Sequence, residues 1–137
     1  MNEIEEKAGL PATPGYQYAK HVGTQLYVSG QVPHNKSGVI VAISNPYEQA
    51  QQCLANLELL LSCYHFGKSD IQHITIYVVG NRDNLSEAWK AVKHYFKGIV
   101  PPATLLGVAL LGHEHQLVEI DATITKLEVI YRQANPN

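Results

Sequence analysis

The sequence predicts a single α+β domain, with one mixed β-sheet and two helices packed on one of its faces. Three observations lead there. Apolar residues switch between a two-residue period and a helical period along the chain. Two segments carry helix-start signals ahead of helical periodicity. The last long segment, Leu117 to Tyr131, alternates apolar and polar positions. Strands interleaved with two helices, in the order ββ(β)αβαββ, fit one sheet layer against one helix layer. A chain of 137 residues fits one domain and buries about two thirds of the surface its unfolded form exposes. The domain is assigned to residues 1–137.

Residues 1–15 contain Gly9, Pro11, Pro14 and Gly15 and read as an irregular lead-in. Tyr16 to Val22 and Gln25 to Gln31 read as short strands joined by a tight turn at Gly23-Thr24. Pro33, Asn35, Ser37 and Gly38 form a loop, and Val39 to Ala42 fits a further short strand. The first helix opens at Asn45-Pro46-Tyr47-Glu48. Asn45 is the cap, Pro46 suits the first helical position, and Glu48 completes a capping box. Ala50, Leu54, Leu57 and Leu61 recur at helical spacing, flanked by Cys53, Leu60 and Tyr64, and Gly67 is the expected stop.

Ile71 to Val79 reads as a strand, with Ile74, Ile76 and Val78 on one face and His73, Thr75 and Tyr77 on the other. Asn84-Leu85-Ser86-Glu87 forms a second capping box, opening a helix through Trp89, Val92 and Phe96 to Gly98. The turn Val100-Pro101-Pro102 leads into an apolar strand from Ala103 to Leu111, and Gly112 to Gln116 is a loop. In the final strand Val118, Ile120, Ala122 and Ile124 share the core face. Leu117, Glu119, Asp121, Thr123 and Thr125 share the other. Those polar groups cannot be buried unpaired, so that face meets solvent, a cleft or another subunit.

Composition narrows the function. The chain is 45% hydrophobic and only 16% charged, which is low for a monomer's surface and points to uncharged area buried between subunits. The net charge is −2, with no Lys/Arg run, which argues against nucleic acid and against an anionic membrane as partner. No apolar run approaches the ~20 residues a membrane helix needs. Met1 to Lys7 is acidic and unlike a signal peptide, so the expected location is the cytoplasm. Cys53 and Cys63 fall on one helix roughly 15 Å apart, too far for a disulfide, and read as free thiols.

Several residues could carry chemistry. Glu119 and Asp121 share a strand face; paired carboxylates suit acid and base roles, and equally a solvated face. His113-Glu114-His115 offers two imidazoles to a metal, but no third ligand at diagnostic spacing accompanies them, and an exposed polar turn fits as well. No metal and no cofactor is expected. Gly30, in Ser29-Gly30-Gln31, permits close backbone approach to a ligand or simply marks a bulge. Tyr16 and Trp89 could stack on a ligand or fill core and interface.

The segments Tyr27-Val28-Ser29-Gly30-Gln31, Gln49 to Leu57, Asp70-Ile71, Pro102-Ala103 and Val118-Glu119-Ile120-Asp121-Ala122 occur in an order that resembles the Rid family (YjgF/RidA). The resemblance runs from about Gly15 to Ala122. It implies a chorismate-mutase-like fold and a homotrimer, whose sheets form a central barrel with three small-molecule clefts between neighbouring subunits. Family members hydrolyse reactive enamines and imines. The resemblance gives Glu119 the role of positioning or activating the attacking water, and makes Tyr16, Ser29, Gly30, Trp89, Thr104 and Leu106 the substrate-binding set.

Three of those positions depart from the deaminating members. Thr104 stands where they carry the arginine that pairs with the substrate carboxylate. Leu106 stands where many have cysteine, and Trp89 near an asparagine on the second helix. A planar guanidinium suits a two-pronged carboxylate contact, whereas Thr offers one neutral hydrogen bond. Losing such a charged contact costs on the order of 2–5 kcal/mol. The expected function is therefore hydrolysis of a small imine-like metabolite other than a standard 2-imino acid, or one anchored differently. The alternatives are a non-catalytic small-molecule-binding trimer and a 2-imino acid deaminase whose charge comes from Lys20, His34 or His113. Some members have been described as ribonucleases, which the acidic balance disfavours here.

Overall fold

The computed structural model describes residues 1–127. It contains α1 (Glu3–Lys7), β1 (Ala19–Val22), β2 (Gln25–Val28), α2 (Pro46–Cys63), β3 (Ile71–Val79), α3 (Arg82–Tyr95), β4 (Ala103–Val108) and β5 (Val118–Thr125), with a 3₁₀ turn at Lys68–Asp70 before β3. The five strands form one sheet in the order β1-β2-β5-β3-β4. Only the β3–β4 pair is parallel, and α3 makes its crossover. This is the α+β fold with one mixed sheet that the sequence predicts. The part of the final stretch from 128 to 131 lies outside the described residues.

The core forms between the sheet and the two long helices. Ile74, Ile76 and Val78 of β3, Val118, Ile120 and Ile124 of β5, and Leu26 of β2 are buried. They meet Ala50, Cys53, Leu54, Leu57 and Leu61 of α2 and Ala88, Ala91 and Val92 of α3. The opposite sheet face is uncovered in the protomer. Register lines it in three rows: Tyr27–Thr123–His73, Asp121–Thr75–Thr104 and Glu119–Tyr77–Leu106.

Several expectations need correction. The lead-in is not wholly irregular: Asn2 and Glu5 form a capping box that opens α1. Tyr64 Oη then donates to the buried Glu5 Oε2 at 2.6 Å and ties α1 to the end of α2. The first hairpin is shorter than expected, since β1 begins at Ala19 and β2 ends at Val28. The expected strand at 39–42 is reduced to a single bridge, His34 to Ile40. Helix α2 stops before Gly67: Tyr64 caps it, and His65 takes the left-handed conformation (φ 62°). Asn45 caps α2 as expected, accepting from Glu48 N at 3.0 Å. Helix α3 starts three residues early, with Asn81 rather than Asn84 as its cap. Strand β4 ends at Val108 rather than Leu111, and its residues are largely exposed at the sheet edge. Cys53 and Cys63 are free, as expected.

Candidate active site

After β2 the chain continues through Ser29-Gly30-Gln31. Gln31 pairs with Ile120 by two backbone bonds, Gln31 N to Ile120 O at 2.7 Å and Ile120 N to Gln31 O at 3.1 Å. That pairing lays Gly30 against Glu119 on the face away from the helices. A Cβ on Gly30 would overlap Glu119 Oε2 and sit 2.8 Å from its Cδ. Glycine leaves room for the carboxylate where it stands, and the group that approaches its backbone is the carboxylate itself.

The carboxylate is also held from the other side. Gln116 is buried. Its Nε2 donates to Glu119 Oε1 at 3.3 Å and to Val118 O at 3.1 Å, while its Oε1 accepts from the His113 backbone N–H at 3.2 Å. Tyr16, Ser29, Gly30, Val32, His113 and Glu119 line an open cavity of about 310 Å³. Such a volume suits a small metabolite.

Electrostatics distinguish the groups around the cavity. Burial raises the Tyr16 hydroxyl above its usual pKa, and the Glu119 charge adds to this, so it stays a neutral donor at the cavity wall. Tyr18 lies behind it, edge-on with ring centroids 6.5 Å apart. Burial, then Tyr16 and Glu5, push its hydroxyl up to about 12. Cys53 lies on the core side of β5, its thiol 3.6 Å from Val118 O. Burial, with Glu119 second, pushes that thiol well up, which leaves it un-ionised and structural.

Five of the residues singled out in the sequence therefore meet in one cavity: Tyr16, Ser29, Gly30, His113 and Glu119. Thr104 and Leu106 do not join them within the protomer. They lie on β4, two strands from β5, so Leu106 is about 10 Å across the sheet from Glu119. Thr104 Oγ1 instead sits 3.4 Å from His73 Nε2. Trp89 lies on α3, in the helix layer, half-buried against the core. Asp121 spends one carboxylate oxygen on the Ala122 N–H at 2.9 Å. His115 and Glu114 approach to 3.7 Å. Among the described residues no three potential ligands gather as a metal site.

The sequence reading missed the residues that shape the cavity. Gln49 of α2 is fully buried. Its Oε1 accepts from Leu117 N at 2.7 Å and Val118 N at 3.3 Å, and its Nε2 donates to His115 O at 2.9 Å and Val41 O at 3.2 Å. Two turns on, Asn56 Nδ2 donates to Val32 O at 2.8 Å and His34 O at 3.0 Å, while its Oδ1 accepts from Gln52 Nε2 at 2.9 Å. These amides fasten both cavity loops, 32–45 and 112–117, to one helix. The available signal was three amides, Gln49, Gln52 and Asn56, spaced three to four apart beside the apolar stripe of α2.

Fold and site together define a class: a one-sheet α+β protein whose strand-borne carboxylate, packed on a glycine, opens into a small cavity. The profile of the family described as Endoribonuclease L-PSP matches residues 6–126, and the chain belongs to that family, the YjgF/Rid proteins. A RutC family protein of Pyrococcus horikoshii is 28% identical over 129 residues, spanning 92% of this chain and 99% of that protein. The structure of YyfA, a protein of unknown function of the conserved Rid family from Yersinia pestis, is similar at TM-score 0.77 and 30% identity. It covers 87% of this chain and 94% of YyfA. Escherichia coli TdcF with bound serine shares the fold at TM-score 0.77 and 22% identity, over 88% and 95% of the two chains.

Proposed function

We propose that this protein hydrolyses a small imine or enamine, with Glu119 as the group that positions and deprotonates the attacking water. The observation that carries this reading is the Glu119 carboxylate, packed on Gly30, oriented by Gln116 and open to the cavity. A carboxylate fixed in that way can take a proton from water as its oxygen attacks a C=N carbon. Tyr16, as a neutral hydroxyl, and Ser29 supply hydrogen bonds to the bound molecule. No cofactor is needed for this addition and elimination. The absence of a guanidinium at Thr104 argues that the substrate is not a standard 2-imino acid held by its carboxylate, or is held by another group.

The uncovered sheet face supports assembly as a homotrimer with that face turned inward. Tyr27 there is 57% exposed in the protomer and Leu106 43%. In such a trimer the exposed β4 edge, with Thr104 and Leu106, would border a neighbour's Glu119 cavity and complete an inter-subunit cleft. We place the protein in the cytoplasm. Ribonuclease activity is disfavoured, because the sequence has no run of basic residues to neutralise phosphates.

A second reading is a non-catalytic binder of small metabolites, favoured by the uncharged pair Thr104 and Leu106. The two readings separate in one assay. Wild type and Thr104→Arg are offered imines generated in situ, both 2-imino acids and imines without a carboxylate, and carbonyl product is followed. The hydrolytic reading expects wild type to turn over carboxylate-free imines, and Thr104→Arg to gain activity on 2-imino acids. If both proteins are silent throughout while ligands still raise the Tm, the binder reading replaces it.

A further inference from the structure

One titratable side chain at the cavity has no role in the reading above. His113 lines the same cavity as Glu119, from the loop between β4 and β5. Gln116 ties the two together, accepting from the His113 backbone N–H and donating to the Glu119 carboxylate. On the far side of His113, the His115 carbonyl is fastened to Gln49. An exposed residue is thus carried on a loop pinned on both sides of it, at the same cavity as the Glu119 carboxylate.

A second imidazole stands close by. His34 Nδ1 is buried with no hydrogen-bond partner. Burial holds this ring below the usual histidine pKa, and the neighbouring His113 charge adds to that. His113 is the exposed member of the pair. The other titratable groups around it are Glu119 and Tyr16 on the cavity wall and Glu114 and His115 on its own loop.

We propose that His113 is a second catalytic residue of the cavity, the acid that works opposite the Glu119 base. This rests on the hydrolytic reading and adds the source of the proton that the nitrogen must receive. In the first step water oxygen bonds to the C=N carbon and Glu119 takes a water proton. The C=N π electrons move to nitrogen, which takes the His113 imidazolium proton, giving a neutral carbinolamine. In the second step the carbinolamine O–H proton passes to His113 and the oxygen electrons form C=O. The C–N bond breaks, and nitrogen leaves with the Glu119 proton as ammonia or amine. Carboxylate and imidazolium are both restored. Substrates with a basic nitrogen and no fixed charge suit this arrangement, since the site supplies one negative and one titratable positive group.

The test compares the pH dependence of kcat and KM for wild type, His113→Ala and Glu119→Gln on an imine that wild type hydrolyses, with and without added imidazole. The proposal expects His113→Ala to lower kcat about 100-fold, in the range typical of general acid catalysis, with little change in KM. Its alkaline limb should be lost, and free imidazole should restore much of the rate. Glu119→Gln should be inactive and unresponsive to imidazole. A folded His113→Ala with wild-type rate and profile, or a loss that imidazole does not rescue, overturns this proposal alone. A wild type silent toward every imine overturns the hydrolytic reading and this proposal with it.

Discussion

A methyl group on Gly30 would occupy the space of the Glu119 carboxylate, so Gly30→Ala should swing that carboxylate away while sheet and helices stay folded. We expect kcat to fall at least ~10-fold, as for loss of a positioned base, with an unchanged circular dichroism spectrum. His34 gives a prediction about stability. Its folded pKa is lowered, so in acid the unfolded chain binds the extra proton first. The stability that comes from keeping this ring neutral is therefore present above its unfolded pKa near ~6.5. It is lost as pH falls below that value. Tm should drop between neutral pH and pH ~5, and His34→Gln should flatten the slope. Glu119, Gly30, Ser29 and Tyr16 were legible in the sequence because a strand's two-residue period puts Glu119 off the core face and because the family motif names the others. Gln116 and Gln49 were not. An amide reads as a surface residue, and the groups that satisfy these two are a loop or a distant strand that only folding brings near.

Helix α2 does more than cover the sheet. Gln49 holds two backbone N–H groups and two carbonyls of the cavity loops. Gln49→Leu keeps the volume but strips the partners from those buried and part-buried groups. The expected cost is on the order of 3 kcal/mol, since each unsatisfied buried group costs about 1–3 kcal/mol. Urea unfolding should show it as a lower midpoint at unchanged slope. Long elements were readable because α2 and β3 carry sustained periodicity. Their ends were not, because competing local bonds set them. The sequence pattern Asn84-Leu85-Ser86-Glu87 points to Asn84 as the cap of α3. The structure uses Asn81, and Asn84 instead donates Nδ2 to Val79 O at 2.9 Å, closing the turn at Gly80 (φ 115°). At the end of α2 His65, not Gly67, takes the left-handed conformation. Asn, Asp and His adopt it more readily than most non-glycine residues, but nothing local marks which residue will.

For the whole molecule, the sheet has one face closed by helices and one face open, lined by Tyr27, Thr123, His73, Asp121, Thr75, Tyr77 and Leu106. The polar alternation of β5 foretold an open face. It did not foretell that Thr104 and Leu106 would lie two strands from Glu119, since strand order is a tertiary property. If the open face packs against copies of itself, light scattering should give a mass three times the 15.2 kDa chain. Tyr27→Glu, placed on that face, should release protomers. The central claim is chemical, and one measurement tests it most directly. Wild type and Glu119→Gln, matched for mass and Tm, are compared for hydrolysis of carboxylate-free imines generated in situ, with released carbonyl quantified. The account predicts turnover by wild type and a loss of ~100-fold or more in Glu119→Gln, the scale of a general base. Equal rates in the two proteins would contradict it.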